Sequence, residues 1–274
     1  MKRAFLTPKG IAATIAAAVV LIGSLYGFHR LEQFLIRDAR FTLSEPGAAE
    51  SIEVTGAGHV APRAIEAVFS DDYGRSAYLI PLSDRRASLR TVDWVKDASV
   101  ARFWPNRVVV GVTERKPVAF LALGSGRPGL IDEDGVVLPP VDERFTLPML
   151  SGVRASDSLP VRREHVQRLL RVMKELGDAS RAATEVDVSD PDDVKLSELF
   201  DGRKVTLLLG DHNFALRHQN FVRYYAEIRK KMADATVLDL RVEDRITVVP
   251  QSAVPQSAVR QNVAPQKVTQ KVTQ

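Results

Sequence analysis

The chain has 274 residues, of which 45% are hydrophobic and 26% charged, and it contains no cysteine. This composition suffices for a globular core, and the lack of cysteine excludes disulfides, thiolate metal sites and cysteine nucleophiles. The formal net charge is +4, but Lys2, Arg3 and Lys9 supply three of these charges. Acidic and basic residues interleave in the remainder, which argues against a nucleic-acid-binding face.

The first element in the chain is an uncharged apolar stretch at residues 10–28 (GIAATIAAAVVLIGSLYGF). At about 1.5 Å of rise per residue, a helix of this length covers about 28 Å, which is enough to cross a membrane. Lys2, Arg3 and Lys9 precede it. The positive-inside rule therefore predicts a cytoplasmic tail at residues 1–9, a single transmembrane helix, and export of everything that follows.

This stretch has two competing interpretations. A cleaved secretory signal has a similar basic start, but its apolar region usually spans about 7–15 residues and ends at a small-x-small cleavage site. Here the stretch ends in Leu25, Tyr26, Gly27 and Phe28, and its alanine run at residues 16–18 is central. A buried core helix is the other interpretation. Length and flanks favour a retained anchor over both.

The region after the anchor alternates between helical and extended patterns. Residues 29–39 form a predicted juxtamembrane linker that continues the helix with charged residues between apolar ones. The elements predicted next are short strands at 41–43 and 51–55, a helix starting at Pro62, a helix capped by Ser83 or Asp84 and running to Val92, and strands at 95–103 and from Val108 towards Lys116. This order describes a small α+β unit.

Four residues join the last two strands: Trp104, Pro105, Asn106 and Arg107. We predict that they form a structural turn, because Pro105 and Asn106 suit the central positions of a type I turn. Pro117 ends or edges the second strand, since proline cannot donate a hydrogen bond to the ladder.

The order of these elements, together with WPNRVVVGVTERKPVAF, resembles the polypeptide-transport-associated (POTRA) domain of the bacterial cell-division family FtsQ/DivIB. The likeness rests on the Trp-Pro turn, the strand after it, and the sequence Glu114, Pro117, Val118 and Ala119. The resemblance implies an α+β fold: one N-terminal transmembrane helix, a small β-α-α-β-β POTRA domain, and a β-sheet-rich domain with flanking helices.

The rest of the chain follows the same family order. The implied boundaries are residues 40–120 for the POTRA domain, 121–249 for the β domain, and 250–274 for a Gln/Pro-rich tail that we predict to be disordered. In the β domain, three segments resemble parts of the family's fold: a strand-turn-strand at 130–138, a Leu-Pro segment at 147–150 and a closing strand pair at 237–249. The residue patterns themselves indicate a buried strand at 205–210 and two helices. The first helix spans 162–176 with Val166, Leu169, Leu170 and Met173 on one stripe, and the second spans 214–232 with Phe221, Tyr225, Ile228 and Met232 on one stripe.

Three candidate chemical sites are weak. Residues 124–129 match the dinucleotide pattern G-x-G-x-x-G, but a proline lies inside it and a strand follows, so a hairpin loop fits better. Asp132, Glu133 and Asp134 precede a glycine and indicate a solvated turn. His212 and His218 lack the i, i+4 spacing of a helical metal pair and are expected near a cap or on the surface. We predict no catalytic, cofactor or metal site.

The closing strands carry the predicted binding site. Leu238, Leu240 and Val242 alternate with charged residues, so we expect one packed face and one wet face. A strand near the chain end, if it lies at a sheet edge, can pair with a strand from another chain. The alternative is an ordinary edge blunted by Arg245 and Pro250. The family resemblance implies that the closing pair is the contact stretch, with contact residues Arg241, Val242, Asp244, Arg245, Ile246, Thr247, Val248 and Val249. We expect a proline at Thr247 to abolish the contact.

The resemblance implies a non-enzymatic divisome component. It would sit in the bacterial inner membrane at the division septum, with its domains in the periplasm, and would dock FtsB and FtsL to support the septal peptidoglycan synthase complex. No cofactor, nucleic acid or small-molecule substrate is implied. Two alternatives remain: a POTRA-containing outer-membrane or secretion assembly factor, and a membrane-tethered periplasmic enzyme.

Overall fold

The computed structural model describes residues 8–45, 51–123, 128–242 and 245–249. The chain divides into two units, Met1–Arg115 and Lys116–Gln274, and the described part of each contains its own sheet. The boundary predicted after residue 120 falls inside the first strand of the second sheet, Pro117–Ala122. That strand pairs with the strand at Pro128–Asp132. The predicted tail at 250–274 lies outside the described residues, as do residues 1–7.

Helix α1 spans Pro8–Arg37 without a break. It is long and apolar enough to cross a membrane, and the residues described along its apolar part, 11–31, are all exposed. At about 1.5 Å per residue, 30 residues extend about 45 Å, which exceeds a hydrocarbon thickness of about 30 Å. The helix therefore continues well past the predicted span, through most of the predicted linker.

The sheet of the first unit has three strands in the order β1-β3-β2. β1 runs parallel to β3, and β2 is antiparallel to β3. The elements of this unit after α1 are β1 (Ile52–Thr55), α2 (Pro62–Ala67), α3 (Leu82–Leu89), β2 (Val95–Phe103) and β3 (Arg107–Glu114), with 3-10 helices at Ala39–Phe41 and Ala77–Leu79. The predicted β-α-α-β-β order is confirmed.

Two local predictions in this unit are wrong. Phe41 lies in a 3-10 helix rather than a strand, because Asp38 caps that turn through the N–H of Arg40 (2.9 Å). Helix α3 starts at Leu82, two or three residues earlier than a cap at Ser83 or Asp84 would require, and Pro81 precedes it without a side-chain cap. Trp104, Pro105 and Asn106 form the turn between β2 and β3, and the Trp104–Pro105 peptide bond is cis.

The second unit contains a nine-stranded mixed sheet in the order β12-β11-β10-β9-β8-β7-β4-β5-β6. Its strands are β4 (Pro117–Ala122), β5 (Pro128–Asp132), β6 (Val137–Leu138), β7 (Met149–Ser151), β8 (Ala183–Asp187), β9 (Val194–Phe200), β10 (Arg203–Gly210), β11 (Val237–Asp239) and β12 (Thr247–Val248). β11 is parallel to β10 and antiparallel to β12.

Two long helices cover this sheet: α4 (Leu159–Leu176) and α5 (Phe214–Lys231). They contact each other, and both contribute to one core with the strands. Val166 and Leu169 are buried as predicted, and Val172 joins them. Met232 does not belong to the apolar stripe of α5, because the helix ends at Lys231 and the Met232 side chain is exposed.

Candidate functional site

The candidate site is the end of the nine-stranded sheet formed by β12. Among the described residues, β12 pairs with β11 and has no strand on its other side. Leu238 lies opposite Val248, and Asp239 lies opposite Thr247. Val249 extends the pairing by donating its N–H to the Val237 carbonyl (3.0 Å). The predicted edge position of this strand therefore matches the fold.

The backbone of β12 alternates between its partner strand and the open side. Val249 donates towards β11. The direction of the backbone N–H and C=O groups alternates along an antiparallel ladder. The backbone groups of Thr247 therefore also face β11, whereas those of Val248, the residue between Thr247 and Val249, face outward. Val248 thus presents one donor and one acceptor to an incoming strand. A proline at Thr247, the substitution suggested by the sequence, would instead disrupt the pairing with β11.

The side chains of β12 divide between the core and the solvent. Ile246 and Val248 are partly buried and pack against the core of the second unit, whereas Thr247 and Arg245 are exposed. This alternation anchors the strand from one face. An incoming strand would therefore meet a backbone edge whose position is fixed by the packing of its buried face on the core.

Arg241 secures the start of the connection between β11 and β12. Its backbone N–H donates to Asp239 Oδ1 (3.0 Å), and its guanidinium donates to both carboxylate oxygens of Asp239, at 2.9 and 2.6 Å. It also reaches Asp193 Oδ2 at 3.5 Å. The Arg241 side chain, which was predicted to contact a partner, is half-exposed, but most of its hydrogen bonds stabilise this turn.

A buried arginine on α5 supports the same turn from inside. Arg217 is buried, and it donates to the carbonyl oxygens of Arg241 (2.9 Å) and Leu209. Gly210 has a φ of +70°, and a Cβ there would lie 2.5 Å from the Arg217 guanidinium. Arg217 therefore ties helix α5 to both sides of the β10–β11 region. The sequence contains no periodicity or motif that would have revealed this role.

The pKa values of two carboxyl groups at this turn, Asp239 and Asp193, are shifted in opposite directions. Hydrogen bonding from the Arg241 side chain lowers the pKa of Asp239. Burial raises the pKa of Asp193, although the Arg241 charge works against that shift. Asp193 also accepts the N–H of Gly210 (3.2 Å). Arg241 thus stabilises the charge of Asp239, whereas burial works against the charge of Asp193.

Val242 differs from its predicted role. The sequence pattern placed it with Leu238 and Leu240 on a packed face, and those two leucines are buried, but Val242 is 62% exposed. β11 ends at Asp239, and the Leu240 N–H still donates to the Leu208 carbonyl (3.0 Å), so the alternation reaches Leu240 but not Val242. Its side chain is an exposed apolar group beside the edge strand. Asp244 lies outside the described residues.

The opposite end of the sheet differs from the β12 end. There the turn into β6 packs against the start of α4: Arg162 donates to the Gly135 carbonyl (2.8 Å), and Arg163 donates to the Asp134 carbonyl (3.2 Å). A Cβ on Gly135, whose φ is +78°, would lie 2.7 Å from the backbone of Arg163. The β12 end shows no such cover in the part of the chain that the structure describes.

The other sequence candidates are structural. Asp132 is buried rather than solvated, and its carboxylate accepts the N–H groups of Asp134 (3.0 Å) and Val136 (2.8 Å). His218 is also buried, 3.1 Å from Glu198, which corrects the surface position expected for it, whereas His212 is exposed.

Residues 124–127 of the glycine-rich string lie outside the described residues, but the strands that flank them pair antiparallel, as in a hairpin. No cluster of three His, Asp or Glu side chains that could hold a metal occurs among the residues with described positions.

Comparison with known proteins matches both units. The family model "POTRA domain, FtsQ-type" matches residues 48–115, and the family model "Cell division protein FtsQ/DivIB, C-terminal" matches residues 119–241. A cell division protein FtsQ from Koribacter versatilis (strain Ellin345) is 34% identical over 250 residues, 88% of this chain and 70% of the relative. The chain belongs to the FtsQ/DivIB family of cell-division proteins.

Further relatives within the FtsQ family agree. A cell division protein FtsQ from Rhodothermus marinus is 30% identical over 210 residues, which cover 72% of this chain and 76% of the relative. One from Bradyrhizobium diazoefficiens is 28% identical over 258 residues, 87% of this chain and 69% of the relative. Family membership supports a role in the divisome, and α1 fits a single-pass membrane protein. The C-terminal family match ends at residue 241, before β12.

Proposed function

We propose that this protein is a non-enzymatic divisome scaffold that docks the FtsB/FtsL pair through β12. In this role it links early and late division proteins at the septum and supports the septal peptidoglycan synthase complex. The observation that carries the proposal is the outward-facing backbone of Val248 on a strand whose other side is open among the described residues. Such an edge accepts a strand from another chain by main-chain hydrogen bonds.

The geometry of the turn favours this use of the edge. A two-residue strand is too short to stay in register by itself, so its position depends on what holds its ends. Here Arg241 and Arg217 hold the connection at one end. The side chains of Ile246 and Val248 pack against the core of the second unit and hold the strand by one face. An edge fixed in advance loses less entropy when a partner strand adds to it.

The membrane orientation belongs to the same proposal. Lys2, Arg3 and Lys9 precede the apolar helix, so the positive-inside rule predicts that residues 1–9 lie in the cytoplasm and that both sheets lie in the periplasm. This places β12 on the side of the inner membrane where septal peptidoglycan is made.

The test compares three substitutions in the full-length protein. Val248→Pro removes the outward N–H, Val248→Ala keeps that N–H but trims the side chain, and Thr247→Pro removes an N–H directed at β11. We expect Val248→Pro to weaken co-purification with the FtsB/FtsL pair at least about tenfold, since it removes a main-chain hydrogen bond and adds a ring at the interface. Val248→Ala should bind nearly as well as the unmodified protein.

Two readouts separate binding from folding. Circular dichroism should show Val248→Pro folded, because proline is tolerated where its missing N–H faces solvent, whereas Thr247→Pro should lose stability. A fluorescent fusion of the unmodified protein should gather at the septum of dividing cells. Full binding by a folded Val248→Pro variant would exclude the edge-strand contact, and diffuse fluorescence with normal septation in depleted cells would exclude the divisome role.

A further inference from the structure

The turn between β2 and β3 lies against the far end of the membrane helix. The Phe34 ring on α1 packs edge-to-face on Phe41, with 5.6 Å between ring centroids, and Phe41 packs in the same way on Trp104, also at 5.6 Å. Three aromatic rings thus connect α1 to the tip of the hairpin. The turn that looked merely structural from the sequence therefore lies close to the point where the chain leaves the membrane.

This arrangement is held by polar contacts as well as by the rings. Ser76 donates its hydroxyl to the Leu35 carbonyl of α1 (2.7 Å). Arg102 donates to the carbonyl oxygens of Tyr78 and Ile80, both at 3.0 Å, and its guanidinium lies 5.8 Å from the centre of the Trp104 ring. The hairpin tip is therefore fixed relative to the last turns of α1.

The tip is apolar and open. Trp104 is 50% exposed and Phe103 is 49% exposed, although both are large side chains at the end of a hairpin where polar residues are usual. On α1, Leu31 is 55% exposed and Phe34 is 45% exposed. These four residues, Leu31, Phe34, Phe103 and Trp104, form what we call the hairpin-tip surface.

The position of this surface along α1 identifies what covers it. Phe34 lies six residues beyond Phe28, the last residue of the apolar stretch. At about 1.5 Å per residue this is about 9 Å along the helix, which is just past a headgroup layer about 5–8 Å thick. Helix side chains tilt towards the N-terminus of the helix, so the Phe34 ring lies closer to the membrane than its backbone does. Tryptophan favours this layer because its ring is largely apolar but carries a polar N–H group.

The charges nearby suit the same layer. Arg37 and Arg40 are exposed at the end of α1 and just after it. Arg40 forms an ion pair with Asp38 (2.9 Å) and lies over the Phe34 ring, whereas Arg37 has an exposed side chain at the helix end. Long basic side chains at helix ends reach lipid phosphates while their stems stay on apolar surface.

We propose that the hairpin-tip surface rests in the phospholipid headgroup layer of the membrane that α1 spans. The occupant of the surface is lipid rather than a protein partner, because the surface is continuous with the membrane helix. Docking at this second point would limit the tilt of the first unit relative to the membrane plane. This proposal does not depend on the proposed function of β12.

The test uses the full chain in lipid nanodiscs and the two tryptophans of the sequence, both of which lie in the first unit. Trp94 is buried and Trp104 is half-exposed. Discs of phosphatidylethanolamine and phosphatidylglycerol would contain phosphatidylcholine that carries a spin label either on its headgroup or at the end of its acyl chain. The unmodified protein is compared with Trp104→Phe, which keeps a ring against Phe41.

We expect the headgroup label to remove the Trp104 share of the emission of the unmodified protein and to leave the emission of Trp104→Phe unchanged. The label at the acyl-chain end should have a much smaller effect. Aqueous iodide should quench Trp104 weakly in the discs. Equal quenching of both proteins by the headgroup label, or strong quenching of Trp104 by iodide, would overturn the proposal and leave the surface open to a protein partner.

Discussion

Glu114, at the end of β3, is the side chain whose replacement should disturb the first unit most selectively. Its Oε1 accepts three backbone N–H groups, from Gly58 (2.8 Å), His59 (2.8 Å) and Val60 (2.9 Å), and its Oε2 lies 2.7 Å from Nδ1 of His59. One carboxylate thus holds the loop between β1 and α2. We consider Glu114→Gln, which keeps the shape of the side chain and removes its charge.

The size of the effect follows from these contacts. A hydrogen bond to a charged group contributes about 1.5–3 kcal/mol, and a neutral one about 0.5–1.5 kcal/mol. Glutamine keeps one acceptor oxygen, so the three N–H bonds persist but each is weakened. Because three donors share a single oxygen, their losses are not fully additive. We expect the free energy of unfolding of the first unit to fall by about 2 kcal/mol.

Tryptophan emission in urea measures this unit alone, because both tryptophans lie in it. Trp94 stacks on the His59 ring with 4.5 Å between centroids, so it also reports on the loop that Glu114 holds. With a urea dependence of about 1–1.5 kcal/mol per M, the midpoint should move down by about 1.5 M. Glu53→Gln, an exposed carboxylate on β1, is the matched control.

A midpoint shift below about 0.3 M, or an equal shift in Glu53→Gln, would refute the reasoning. The pH dependence of the free energy of unfolding provides a second check. Burial by itself raises the pKa of Glu114, but the N–H groups of Val60, His59 and Gly58 and the His59 side chain outweigh it, so the net pKa is lowered. The stabilisation is therefore complete above the unfolded pKa of about 4.3 and disappears as the pH falls through the lower folded value. The difference between the two proteins should vanish there.

The remaining predictions concern the second unit. Phe221→Ala removes a buried ring 5.3 Å from Phe200, so thermal melting should show a loss of about 3–5 kcal/mol, whereas the exposed Leu216→Ala on the same helix should be almost neutral. Asp239→Asn removes the charge opposite the half-exposed Arg241, so stability should fall by less than about 1 kcal/mol. If the anchored turn matters for docking, affinity for FtsB/FtsL should drop several-fold in Asp239→Asn; unchanged affinity contradicts that link.

Much of the fold could be predicted because its signals are local. The apolar run of α1, the β-α-α-β-β order, the stripe of Val166 and Leu169 on α4, and the pair of closing strands each follow from composition or periodicity within a few residues. Boundaries were less predictable. The alternation of Leu238 and Leu240 suggested that Val242 would be buried too, but β11 ends at Asp239, and only strand pairing reveals that end.

The features of the candidate site also divide into those that the sequence predicts and those that only the structure reveals. The sequence by itself determined that a strand near the chain end could serve as an edge, because alternation and position are visible in the residues. Only the tertiary structure decided that Val248 and not Thr247 faces outward, that Arg217 supports the turn, and that Trp104 lies beside α1. These features depend on register and on contacts between residues far apart in the chain, and a local pattern carries no information about either.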